Sequence, residues 1–174
     1  MKSGIKFFLG FIFIILTCWL FELFVIGSPI VILTSNIDMH HMKGIVGDTI
    51  NPLNDLCFDN EDLAVYIIVN KNDRQDLDPQ LFKGLYLKCN NKNILKDILP
   101  NFDCVVTGGD MATVQSAIYV IQNNKIVFMS GIVLDKNIAG LQNQHFGWAE
   151  AVDSELLLDA CSKFKRSYWP ILFL

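Results

Sequence analysis

Histidine is scarce in this chain: His40, His41 and His145 are the only three among 174 residues. His40 and His41 are adjacent, so they would face opposite sides of a strand and diverge on a helix. His145 stands alone in a polar stretch. No HExxH, GxSxG or phosphate-loop motif occurs. The TGGD at 107–110 lacks the lysine of a phosphate loop and reads as a turn. No cysteine pair has CxxC spacing, so neither a thioredoxin-like redox pair nor a ribbon-type zinc site is supported. These absences argue against an enzyme, a metal site or a bound cofactor. Positive charge is also sparse. There are 14 Lys and Arg against 18 Asp and Glu, a net charge of −4, which is not the balance of a nucleic-acid-binding surface.

The strongest positive feature is KSGIKFFLGFIFIILTCWLFELFVIGSP near the N-terminus. From Phe7 to Ile26 it is apolar except for Gly10, Thr17 and Glu22. As a helix those 20 residues span roughly 30 Å, the thickness of a bilayer's hydrocarbon core. The run is longer than a signal-peptide core, so an uncleaved transmembrane anchor is expected. Two alternatives stay open. Val25-Ile26-Gly27 before Ser28 is a passable cleavage site, and Cys18 could end a lipoprotein leader, although Ile15-Leu16-Thr17 is a poor box ahead of it. Lys2 and Lys6 precede the run and the next cation is Lys43, which places the body of the chain outside the cytoplasm. Glu22, about one turn from the outer end, is a candidate contact for a partner helix.

The expected map is therefore a cytoplasmic tail at 1–6, a transmembrane helix at 7–26, an approach segment at 27–62 and a periplasmic domain at 63–174. The expected location is a bacterial inner membrane, single-pass. With Lys2, Lys6 and Glu22 set aside, 12 cations face 17 carboxylates in the outer part. Four cysteines lie there: Cys57, Cys89, Cys104 and Cys161. In a compartment where disulfides persist, an even set reads as a disulfide framework. Three pairings are possible. Cys89–Cys104 with Cys57–Cys161 is preferred, because the first closes a short loop and the second ties the domain's ends. In the same compartment His40, His41 and His145 are candidate acid sensors, since histidine titrates near pH 6.5.

Local patterning predicts a small mixed α/β domain of the α+β class. LAVYIIV at 63–69 is a strand by its β-branched content. Asp78-Pro79 reads as a helix start, 92–99 as a short helix ended by Pro100, and DCVVT at 103–107 as another strand. SAIYVIQ and KIVFMSGIVLD flank Asn123-Asn124, the signature of a tight β-hairpin. Gly131 suggests a bulge or a close backbone approach in the second strand. Residues 137–148 read as a loop. Asp153 or Ser154 caps a helix through about Phe164. The tail YWPILFL is apolar and too short to span a bilayer. Tyr168, Trp169 and Phe173 are its candidate partner contacts.

A short basic tail, one N-terminal anchor and a single cysteine-bearing α+β domain resemble the small accessory proteins paired with ToxR-like membrane transcription regulators, of the ToxS and PsaF/MyfF type. MKSGIKFFLGFIFIILTCWLFELFVI and the four outer cysteines carry the resemblance, and the cysteines favour the fimbrial-regulator branch. It implies a protein that binds the outer domain of a membrane-bound transcription regulator, stabilises or activates it, and tunes virulence or fimbrial genes. Acidity and temperature are the candidate signals. The alternatives are an anchored envelope enzyme or assembly chaperone, and a secreted binding protein with a cleaved leader.

Overall fold

The structure is a computed structural model. It describes residues 2–21, 25, 27–38, 44–58, 62–81, 84–109, 115–135 and 137–174. Three α-helices are described: α1 (Lys2–Phe21), α2 (Lys92–Ile98) and α3 (Ser154–Ser162). The strands are β1 (Ile30–Ile32), β2 (Asn36–Ile37), β3 (Thr49–Ile50), β4 (Leu63–Ile68), β5 (Tyr86–Cys89), β6 (Cys104–Val106), β7 (Ala117–Gln122), β8 (Lys125–Leu134), β9 (Ala139–Asn143), β10 (Gly147–Ala151), β11 (Lys165–Ser167) and β12 (Ile171–Phe173). Nine of them form one antiparallel sheet in the order β11-β5-β4-β7-β8-β9-β10-β6-β3, and β2 adds a parallel pairing to β8. The fold is mixed α/β, dominated by this sheet. The segment 27–62 contributes β1, β2 and β3 to the domain.

The sheet buries apolar side chains on both faces. Along β4, Leu63, Val65 and Ile67 enter the main core, while Tyr66 and Ile68 enter a second cluster on the opposite, outer face. Such two-sided burial explains why this strand reads as a continuous apolar run rather than an alternating one. Leu95 and Ile98 of α2 and Leu157, Leu158 and Cys161 of α3 close the main core. Asn91 caps α2, its Oδ1 accepting from Asn93 N (3.0 Å) and Ile94 N (3.4 Å). Asp153 caps α3, accepting from Leu156 N at 3.0 Å. Each side-chain acceptor satisfies an amide with no partner inside its own helix.

Asn123 and Asn124 join β7 to β8 with φ of 52° and 57°, the left-handed pair that a tight hairpin requires. The bulge lies elsewhere than at Gly131. Val120 pairs with Phe128 and Ile121 with Ile126, leaving Val127 as the extra residue. That slip turns Val127 and Phe128 to the main core and Ile126 to the second cluster. Gly131 instead sits in regular register between Ala117 and Gln142.

Four expectations need correction. The first is the transmembrane helix at 7–26. Helix α1 begins among Lys2 and Lys6, and its charge-free stretch, Phe7–Phe21, is 15 residues long. That is roughly 22 Å of helix against a hydrocarbon core of about 30 Å. Among the described residues no helix is long and apolar enough to cross a membrane. The single-pass inner-membrane location, with its periplasmic domain, falls with that helix.

The second correction concerns the disulfides: all five cysteines are free thiols. Cys57 is exposed while Cys161 is fully buried, and five strands separate the strand of Cys89 from that of Cys104. Third, Asp78-Pro79 opens a turn rather than a helix. The Asp78 carboxylate accepts from Gln80 N at 2.7 Å, and Asp78 N donates to Leu134 O, tying the segment to β8.

Fourth, the loop expected at 137–148 contains β9 and the start of β10. Gly140 is what allows them to pair so closely: a Cβ there would lie 2.3 Å from Ala149 O and 2.7 Å from the Trp148 ring. Gly140→Ala is expected to lower the melting temperature by several degrees, because the backbone of β10 must move. Thermal unfolding monitored by circular dichroism checks this.

Candidate interaction surface

Strands β1 and β12 form a separate parallel ribbon, with Ile30 opposite Ile171, Val31 opposite Leu172 and Ile32 opposite Phe173. Side chains alternate across a strand, so the ribbon has two faces. Its inner face, Val31 and Leu172, packs with Leu174 against Tyr66, Ile68, Tyr86 and Ile126 of the sheet. Its outer face presents Ile30, Ile32 and Phe173 to solvent. The chain end is clamped: Leu174 O accepts from Ser35 N at 2.7 Å and from Thr34 Oγ1 at 2.9 Å. Trp169, 64% exposed, stands at the start of this ribbon.

Helix α1 joins the surface through its last turn. Trp19 Nε1 donates to Tyr168 O at 3.0 Å. The Tyr168 ring in turn lies 5.7 Å from the Arg166 guanidinium. Two cations hold the connection that follows. Lys71 Nζ donates to Val25 O at 2.7 Å, and Arg74 Nη2 donates to Gly27 O at 2.5 Å and Gly84 O at 2.8 Å. Burial lowers the Arg74 pKa from its ordinary value, because its guanidinium is partly removed from water. Gly27 has φ of +70°, a conformation that glycine adopts without steric cost.

Above that junction the helix is apolar on all sides. Phe7, Phe8 and Leu9 are consecutive, about 100° apart around the axis, and all three are exposed. Phe11, Ile12 and Phe13 repeat the pattern one turn later. An amphipathic helix would turn one stripe of this kind inward, and α1 turns none.

The sequence-derived candidates are dispersed. Tyr168, Trp169 and Phe173 lie together on the tail and are exposed. Glu22, His40 and His41 lie outside the described residues. His145 is exposed in the β9–β10 turn, where its amide donates to Asn143 Oδ1 at 2.8 Å. Cys89, Cys104 and Cys161 are buried thiols of the main core. The Cys89 and Cys104 thiols face the carbonyls of Asn91 and Phe102, at 4.0 and 3.5 Å. Burial pushes the Cys104 thiol up to about 12, with help from the Asp103 carboxylate. It pushes Cys161 up as well, with Cys104 adding to the effect. Such thiols are poor nucleophiles and poor metal ligands. Among the described residues no three His, Cys, Asp or Glu side chains gather as a metal site.

Sequence reasoning missed Trp19 as the bond between helix and tail, and Ile30 and Ile32 as the tail's strand partners. The only available signal was that IVI at 30–32 and ILF at 171–173 are short apolar runs with no other partner. No family model matches the chain, and neither a curated protein nor a solved structure is detectably similar to it.

Proposed function

We propose that this chain is a non-catalytic accessory protein that binds a partner protein through α1 and the outer face of the β1–β12 ribbon. The observation that carries this reading is the exposure of large apolar side chains on every side of α1. Continuous apolar surface of that kind marks an interaction site, and a helix apolar all round is normally enclosed by neighbours. The partner therefore supplies a groove or a set of helices rather than a flat patch. The ribbon extends the same surface at the base of the helix, where Trp19 meets Tyr168.

The resemblance to ToxR-associated accessory proteins makes a transcription regulator the partner class to test first. Enclosing α1 would then stabilise or activate that regulator, and virulence or fimbrial genes would be the output. Docking of this kind needs an apolar helix and does not need one that spans a bilayer. The double substitution Phe11→Glu/Phe13→Glu should reduce co-purification with the co-expressed regulator at least a hundredfold. The domain's own melting temperature should stay unchanged. Undiminished co-purification would remove α1 from the interface.

A further inference from the structure

A second site lies on the outer face of the sheet, independent of α1. A cleft of about 410 Å³ opens beside Tyr66, Lys88, Lys92, Asn90, Asn124 and Asp62. Tyr66 and Lys88 are cross-strand neighbours on β4 and β5, and Lys88 Nζ lies 5.1 Å from the centre of the Tyr66 ring. The ring face thereby fixes the position of the ammonium group at the wall of the cleft. Lys92 follows at the first residue of α2. The opposite wall is equally defined, since Asn123 N donates to Asp62 O at 2.9 Å and holds the hairpin turn against the start of β4.

The charges here are not balanced. Among the described residues neither Lys88 nor Lys92 pairs with a carboxylate, whereas Lys125 and Lys163 both do, with Asp38 and Asp159. Lys88 also faces Lys165 directly across the β5–β11 pair. Two like charges in directly opposed positions destabilise a sheet unless something of the other sign lies near them. An anion seated at Lys88 would relieve that repulsion and pair with Lys92. Asp62 limits how much negative charge is welcome, and it accepts hydrogen bonds from hydroxyl groups. Asn90 and Asn124 bring carboxamides that can both donate and accept.

We propose that this cleft binds a small hydroxylated anion: one phosphate or carboxylate group between Lys88 and Lys92, with neighbouring hydroxyls on Asp62, Asn90 and Asn124. A sugar phosphate and a sugar acid share that chemistry. The test is calorimetric titration of the full chain with glucose 6-phosphate, glucuronate, glucose and inorganic phosphate. Saturable binding is expected for at least one of the first two, at least tenfold tighter than for glucose or phosphate. Lys88→Met and Lys92→Met should each weaken it about tenfold, because each removes a charge-assisted contact while keeping the apolar stem. Lys163→Met, just past the end of α3, should leave it unchanged. The ligand should raise the melting temperature of the wild-type chain and not of the Lys88→Met/Lys92→Met double variant.

Inorganic phosphate binding as tightly as both sugar anions would overturn the proposal, as would lysine variants that bind like wild type. So would a folded chain that binds none of the probes up to roughly 10 mM, where even a site of millimolar affinity would be mostly filled. The Phe11→Glu/Phe13→Glu variant should retain full ligand binding, so this site and the docking surface can fail separately.

Discussion

Phe102→Ala is expected to destabilise the domain by about 3–5 kcal/mol, while Phe13→Ala changes its stability by less than about 0.5 kcal/mol. The two residues have the same side chain and opposite surroundings. Phe102 is fully buried in the main core, in the single 3-10 turn that follows α2. Truncating it removes the transfer free energy of a whole ring and leaves a cavity that a close-packed core cannot fully collapse. Phe13 is 69% exposed on α1, so its ring gains little from folding. Chemical denaturation of both variants measures the contrast directly. The reverse order is expected for partner binding, where Phe13→Ala weakens capture and Phe102→Ala affects it only through the folded fraction. Similar stability losses in both variants would mean that α1 is packed into the fold rather than offered to a partner.

Alkaline conditions should unfold this protein unusually early, and the buried thiols give the reason. Cys104 is raised from 9.0 to about 12 by burial, and Cys89 and Cys161 are raised as well. In the unfolded chain these thiols ionise near their ordinary value, whereas in the folded chain they stay protonated. Above that value the unfolded state binds fewer protons, so stability falls as pH rises. The contribution is fully present below about pH 9 and is lost across the window up to about pH 12. Cys104 alone contributes a slope of about 1.4 kcal/mol per pH unit in that window. Cys104→Ala should therefore show a shallower fall between pH 9 and pH 11 in urea unfolding, despite a lower stability at pH 7. An unchanged slope would mean that Cys104 is not held protonated in the fold.

The parts of the fold legible from sequence were those whose signal is local. Four of the seven residues of LAVYIIV are β-branched, and the first six became β4. Asn123-Asn124 tolerates the left-handed backbone of a two-residue turn, and Asp153 carries a capping carboxylate. Each of these features states its structure within a few residues. By contrast, β9 and β10 are written AGLQN and GWAEA, poor strand formers that pair because Gly140 lets the Trp148 ring lie across it. Their pairing is a tertiary effect with no local trace. The ribbon is less legible still, because Ile30 and Ile171 are 141 positions apart and neither segment is long enough to announce itself.

The cysteines show a different limit. An even count in the outer part suggested bridges, but pairing depends on which strands adjoin, and the antiparallel order separates Cys89 from Cys104. Helix α1 has the expected 20 residues but a shifted span, which takes in Lys2 and Lys6. The apolar run was counted through Ile26, whereas the described helix starts among lysines and reaches Phe21. Its exposed side chains were in plain view in the sequence; what the sequence could not show was that they leave the domain's own core complete without them. The lysine-lined cleft was invisible for the same reason, since Lys88 and Lys92 meet Asp62 and Asn124 only after β4, β5 and the hairpin are assembled.

Site-specific photo-crosslinking in living cells tests the central claim most directly, with the photoreactive residue placed at position 13 on α1 or at position 152, an exposed apolar site before α3. The docking reading predicts one dominant protein adduct from position 13, lost when Phe11→Glu is added, and none from position 152. Adducts of equal yield from both positions, or a position-13 probe that joins no protein at all, would contradict it.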